Sequence, residues 1–300
     1  MSIAVLIGVH DGLVLASDSA STLSDSSSTH SGTSGSSVVL NVYDNANKIF
    51  NIIKGQPIGC IAFGSGSIGN ASVATLIKDL RKKLSDTAEA NRLRFNVKTY
   101  SMEQITDLLG AFLGEECKKL DDGEAAATNI GVLLGGYSAG KNLGESWSIE
   151  IKAGVLQPAR KLRKSDEPAI NWGGQDEVLQ RMVIGFSPGL YDLLAQVTTP
   201  TQSLQIIRQE LGPILTARLQ APMVFAPMPI QDAIDLARFL VHSAIMYTRF
   251  TPGPKTVGGP IEIATITKHE QFKWISRKHY YESNLNKEPV HVAVDRPEQN

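Results

Sequence analysis

Ser2 is the residue in this chain that could do the most chemistry with the least help. With Met1 removed, one residue carries both a hydroxyl and a free α-amine. An α-amine titrates at ~7.7–8.0 when unperturbed, so nucleophile and general base can come from the same residue. Asp18 closes the same stretch, because Ser17-Asp18-Ser19 puts a carboxylate at the exit of a strand. By itself Asp18 reads equally well as a turn residue bonding to its own backbone. Lys48 opens the run Lys48-Ile49-Phe50-Asn51-Ile52, where a lone lysine reads as a solvated strand end. Gly64-Ser65-Gly66-Ser67 is a glycine-rich passage from strand to helix, a place where backbone N–H groups can face an anion. It has neither the lysine of a P-loop nor the third glycine of a dinucleotide fingerprint, so nucleotide binding is not its reading. His242 sits beside an apolar helical stripe and reads as a packed or capping residue. Cys60 and Cys117 make neither a disulfide framework nor a metal-ligand spacing. No metal or cofactor is expected.

These residues must be positioned by strands and helices that the pattern already outlines. Ile3 to Leu15 reads as two apolar strands joined at His10-Asp11-Gly12, where Asp-Gly favours the positive backbone angles of a tight hairpin turn. Residues 19–37 are mostly Ser, Thr and Gly, the composition of a flexible loop. Strands follow at 38–43, after the turn cluster Asp44-Asn45-Ala46-Asn47, and at 57–63. Val73, Leu76, Ile77, Leu80 and Leu84 form one stripe of a helix, and Ile105, Leu108, Leu109, Phe112 and Leu113 form another within 102–120. Asp121-Asp122-Gly123 ends that second helix, and 87–99 is a polar connection. Further strands are expected at 130–134, 147–151 and 257–267, a strand-to-helix passage at 169–186, and helices at 203–219 and 230–247. Residues 187–228 form an extended, proline-containing connection. The run with Arg160, Lys161, Arg163 and Lys164 reads as a solvated loop.

The chain has 300 residues, 42% apolar and 20% charged, with a net charge of −1. That balance suits a folded chain able to bury a sizeable core. It gives no basic field for nucleic acid or an anionic membrane. The front lacks a signal-peptide pattern, and no apolar run reaches 18 residues, so a cytoplasmic protein is expected. One domain over 1–283 with a polar tail over 284–300 is the expected organisation.

Taken in order, several pieces resemble the proteasome-type N-terminal-nucleophile hydrolases. They are the hydroxyl residue and first hairpin from Ser2 to Ser19, then Asn47-Lys48-Ile49-Phe50, then the strand closing in Gly64-Ser65-Gly66-Ser67-Ile68-Gly69. The late stretch Thr256-Val257-Gly258-Gly259-Pro260-Ile261-Glu262-Ile263 is most similar to the Anbu-type bacterial relatives of the proteasome. The resemblance spans most of residues 2–275. It implies an α/β (α+β) fold, a four-layer αββα sandwich of two antiparallel sheets between helix layers. The strand order agrees, since strands arrive in hairpins and not singly between helices. The resemblance implies catalytic roles for Ser2, Asp18, Lys48 and Gly66. Ser2 is the nucleophile, Lys48 lies beside it and is held by Asp18, and the Gly66 N–H points at the oxyanion. In such folds the chain after the aspartate borders the substrate cleft, which would make 19–37 a lid or pocket wall.

The chain departs from the family pattern twice. Where catalytic subunits and their HslV cousins carry a serine that bonds the free amine, this sequence has Gly173-Gly174-Gln175. Where proteasome subunits carry an aspartate before the late Gly-Gly, residues 249–255 hold no carboxylate. The resemblance implies a self-compartmentalising peptidase, a homo-oligomer (ring or helical), acting on unfolded protein or peptide, with an ATP-dependent unfoldase as a further partner. The alternatives are a catalytically silent ring-forming structural or binding protein and a small-molecule amidase on the same fold.

Overall fold

The computed structural model describes residues 2–25, 38–163, 167–197 and 204–278. It opens with the expected hairpin, β1 (Ile3–Gly8) and β2 (Leu13–Ser17), with Ala4 opposite Ser17 and Gly8 opposite Leu13. The joining turn differs from expectation, because neither Asp11 nor Gly12 has a positive φ. Val9 N instead donates to Gly12 O at 3.0 Å across a wider connection. Gly12 is there for space, since a Cβ would sit 2.7 Å from Ile266 O. The loop expected over 19–37 is also corrected: β3 (Ser21–Asp25) pairs antiparallel with β4 (Val38–Tyr43), and Ser19 and Ala20 are buried. The remainder of that loop, 26–37, and the tail from 284 lie outside the described residues.

β5 (Ile49–Asn51) and β6 (Ile58–Gly64) come next, then the short pair β7 (Ser67–Ile68) and β8 (Ala71–Ser72). Ser72 caps α1 (Val73–Ser85) by accepting from Thr75 N, so the helix starts where its apolar stripe starts. The expected polar connection contains a short helix, α2 (Thr87–Arg92), capped by Asp86. α3 (Met102–Cys117) is followed by α4 (Asp122–Ala127), for which Asp121 is the N-cap. The acidic cluster therefore starts a helix as well as following one. β9 (Ile130–Gly136), β10 (Glu145–Lys152), β11 (Val155–Leu156), β12 (Arg160–Lys161) and β13 (Ala169–Gly174) lead to α5 (Glu177–Leu179), which runs on as a π-helical turn through Ile184. α6 (Gly189–Val197) and α7 (Leu204–Leu219) occupy the extended connection. α8 (Ile230–Phe250), with Pro229 at its N-cap, precedes β14 (Glu262–Thr267) and β15 (Gln271–Ser276), a strand absent from the sequence reading. Of these helices, none among the described residues is long and apolar enough to cross a membrane.

All pairings are antiparallel. One sheet has the order β13-β1-β2-β14-β15, the other β11-β10-β9-β6-β5, with β12 alongside β10. Alternation along β1 sends Ile3, Val5 and Ile7 to one buried cluster and Ala4 and Leu6 to another. The first cluster joins β1 and β2 to Leu179, Val183 and the inner stripe of α8. The second joins residues of both sheets, including Leu15, Ile61, Leu133 and Ile266. A third packs β6, β9 and β10 under α1 and α3. Both faces of β1 are thus covered, which is why it reads as a continuous apolar run. His242, expected to pack or cap, is exposed on α8.

The basic run is only partly the solvated loop expected of it. Arg160 and Lys161 pair with Glu150 and Glu145 near the surface, but Arg163 is 3% exposed. Its guanidinium donates to Glu167 O, to Gly144 O at 2.9 Å and to Val9 O at 3.1 Å, tying the first hairpin to two later loops. Arg163→Leu strands the buried Gly144 and Val9 carbonyls, at about 1–3 kcal/mol for each one left unsatisfied. Arg160→Ala removes an exposed ion pair worth ~0–1 kcal/mol. Urea unfolding of the two variants should separate them clearly. Equal midpoints would remove Arg163 from this bracing role.

Candidate active site

Asp18 leaves β2 directly into the interior and has no exposed surface. Its Oδ1 accepts from Lys48 Nζ at 2.6 Å and from Ile3 N at 3.0 Å, and its Oδ2 from Ala20 N and Gly258 N, both at 3.1 Å. The carboxylate therefore joins the residue after Ser2, the start of β5 and the late Gly258-Gly259 turn. Lys48, expected in isolation at a solvated edge, is 6% exposed. Burial lowers its pKa from the ordinary lysine value. The Asp18 charge and hydrogen bond oppose that shift, and the nearby Lys278 ammonium adds to it.

Ser2 is 6% exposed, and its carbonyl accepts from Gln175 N at 2.7 Å. The segment that departs from the family pattern is thus against Ser2 itself. Gly174 pairs with Ile3 and has φ +96°, and a Cβ there would overlap Ser2 O. A Cβ on Gly173 would overlap the ring of Phe63. Glycine at both positions lets β13 close over the first residues of β1.

Ser2, Lys48 and Gly66 line one cavity of about 330 Å³, together with Phe63 and Ser21. The Gly66 carbonyl accepts from Val73 N at 3.0 Å, while its N–H donates in none of the hydrogen bonds among the described residues. Gly66 has an ordinary φ, and a Cβ on it would meet only Ser21 Oγ at 3.7 Å, so its backbone is open towards the cavity. The structure brings all four sequence-expected residues together: three on the cavity wall and Asp18 behind Lys48.

A second buried ion pair was missed. Glu262, 1% exposed, pairs with Lys278 Nζ at 2.8 Å, and the same ammonium donates to Ala46 O at 2.7 Å and to Ser19 Oγ at 3.0 Å. Ser19 Oγ donates in turn to Pro260 O at 2.7 Å. The signal was in the sequence, since Glu262 interrupts the apolar run Ile261-Glu262-Ile263, and a carboxylate inside an apolar strand calls for a partner. Its partner lies just beyond the neighbouring strand β15 and has no local signature.

Two antiparallel sheets thus bring Ser2, the buried Lys48 and the Gly64–Ser67 turn around one cavity. Solved structures agree at the level of fold. Anbu (ancestral beta-subunit) from Yersinia bercovieri matches with a TM-score of 0.51 at 15% identity, over 92% of this chain and 88% of that one. An Anbu mutant from Hyphomicrobium sp. strain MC1 gives 0.50 at 14% identity, over 95% of this chain and 92% of the other. No protein-family model matches the chain, and no curated protein matches it in sequence. The likeness is one of fold, and it bears out the broad resemblance to proteasome-like proteins.

Asp18→Asn tests the centre of the arrangement. An amide places a donor group against N–H donors and leaves the Lys48 ammonium unpaired, which at a buried pair costs roughly 3–5 kcal/mol. Adding Lys48→Met removes the stranded charge and should restore a large part of that loss in urea unfolding. A double variant no more stable than Asp18→Asn would show that Lys48 and Asp18 are not coupled.

Proposed function

We propose that this chain is a self-compartmentalising, proteasome-like amide hydrolase that uses Ser2 as nucleophile once Met1 is removed. The observation that carries this reading is the shared cavity: Ser2, the Lys48 ammonium and an open Gly66 N–H face one space, with Lys48 fixed by Asp18. In the reaction, the α-amine of Ser2 takes the proton from Oγ, through a water, as Oγ attacks the scissile carbonyl carbon. Lys48 and the Gly66 N–H stabilise the oxyanion. The tetrahedral intermediate then expels the amine product, which takes the proton from the α-ammonium. Water, activated by the same amine, hydrolyses the ester and regenerates Ser2. Asp18 positions Lys48 and does not touch the substrate.

The same reading takes the three buried clusters as a four-layer αββα sandwich forming one domain over 1–283. It takes the protein as a homo-oligomer in the cytoplasm, with unfolded protein or peptide as substrate and an ATP-dependent unfoldase as partner. The free, buried thiols of Cys60 and Cys117 fit a reducing compartment. One observation favours the silent alternative: the Gly173-Gly174 turn offers no hydroxyl to orient the amine, and Gln175 N is spent on Ser2 O.

Intact mass before and after a β-lactone or epoxyketone electrophile decides between them. The active reading expects loss of one methionine and gain of one adduct, with the adduct absent in Ser2→Ala and strongly reduced in Lys48→Ala. Retained Met1 and no adduct support the silent protein.

The pH dependence of labelling follows from the two groups. Below about 8 the α-amine is protonated and the rate falls. The Lys48 pKa is lowered by burial, so the ammonium is lost, and the rate falls again, at a pH below the ~10.4 of an ordinary lysine. Lys48→Arg keeps its charge and should move the alkaline limb upward. A wild-type rate that stays flat to ~10.4 would remove the Lys48 charge from the mechanism.

A further inference from the structure

A cavity of about 640 Å³ lies where the two sheets end side by side. β5 is the last strand of one sheet and β15 the last of the other, and residues of both line it together with α1. Five cations surround it: Lys54 from the turn after β5, Lys78 and Arg81 one turn apart on α1, Lys273 on β15, and Arg277 just beyond. No carboxylate lines it, and none of the five forms an ion pair among the described residues. Phe272 and Trp274 meet edge to face on its wall at 5.3 Å, and the Arg277 guanidinium lies 4.9 Å from the Trp274 ring centre.

Charges on edge strands can serve simply to prevent edge-to-edge pairing. That role suits exposed lysines, but it does not account for Arg81. Its Nε is buried without a hydrogen-bond partner. Burial, with the like charge of Arg277 adding to it, lowers the Arg81 pKa below its ordinary value. A half-buried guanidinium with an unpartnered Nε beside a second guanidinium lacks an anion.

We propose that this groove binds a run of phosphates, as carried by inorganic tripolyphosphate or by a nucleoside triphosphate. The volume falls in the range of small-ligand sites, about 300–1,000 Å³. Five uncompensated charges around one such space call for several negative charges within a few ångströms. A phosphate chain supplies them, with guanidinium forks taking oxygens in pairs and lysines acting as point charges. An acidic peptide in extended form sends alternate carboxylates to opposite faces and cannot concentrate them there. The aromatic pair offers a face on which a base can stack. The site is independent of the Ser2 chemistry: Asn47 is the one residue that lines both cavities.

Calorimetric titration of the full chain at low salt in EDTA tests this, with sodium tripolyphosphate, ATP and hexaglutamate as separate titrants. Tripolyphosphate should saturate at one per chain. Arg277→Gln and the double variant Lys78→Gln/Lys273→Gln, all at exposed residues, should each weaken it by about tenfold or more, with circular dichroism unchanged. ATP binding more tightly than tripolyphosphate assigns the aromatic wall to a base and the ligand to the nucleotide class. Equal affinity assigns it to phosphate alone. No saturable binding, unchanged affinity in both variants, or hexaglutamate matching tripolyphosphate would each overturn the proposal.

Discussion

A carboxylate shut away from solvent needs donors in place of the water it has lost, and Asp18 receives one ammonium and three backbone N–H groups. Those donors come from residues far apart in the chain: Ile3, Ala20, Lys48 and Gly258. Satisfying one side chain therefore fixes the first strand, the entry to β5 and the approach to β14 relative to one another. Lys48 gains from this its rotamer and its direction. Its ammonium cannot swing to solvent without leaving Asp18 unbalanced, and removing one member of a buried pair costs more than the pair contributes. The position of a candidate catalytic cation thus follows from a requirement of folding.

Much of this was legible in the sequence, for local reasons. The hairpin from Ile3 to Ser17 follows from two apolar runs about a short polar break, and α1 from the 3.6-residue stripe of Val73, Leu76, Ile77, Leu80 and Leu84. Asp18 was recognisable because it ends an apolar strand. What escaped depends on contacts between distant segments. Arg163 looks like its neighbours in a basic run, and only the carbonyls of Val9, Gly144 and Glu167, gathered by the fold, distinguish it. β15 alternates polar and aromatic residues (Gln271-Phe272-Lys273-Trp274) as an edge strand should, yet no strand was expected there, after the one ending at Thr267. The Asp11-Gly12 turn misled because tertiary contact with Ile266 required the glycine, where the pattern pointed to a local φ requirement.

Glycine also sets how closely the two sheets approach. Cβ atoms on Gly59 and Gly135 would press on Leu15, Phe272, Leu13 and Leu6 of the opposing sheet. The Phe63 ring fills the space left by Gly131 on β9 and Gly173 on β13. A side chain at either position would displace the ring from the cavity wall it shares with Ser2. The glycines of β13 are therefore a packing requirement of this chain before they are an omission from a catalytic set.

That requirement changes how Ser2 can be oriented. In the family pattern a serine hydroxyl from this turn reaches the amine, whereas here the turn holds Ser2 through its carbonyl, by Gln175 N, and through the register of Ile3 against Gly174. The backbone on the C-terminal side of Ser2 is fixed at both Ile3 N and Ser2 O, which leaves one torsion to place the hydroxyl and one to place the amine. Fixing the main chain this tightly does part of what a hydroxyl partner would do, because it restricts the amine to a short arc about Cα. It supplies no hydroxyl to the amine, which in the proposed mechanism passes its proton through water. In that mechanism the tuning of the site falls to Lys48, whose pKa is lowered by burial and by Lys278 against the opposing charges of Asp18 and Glu262.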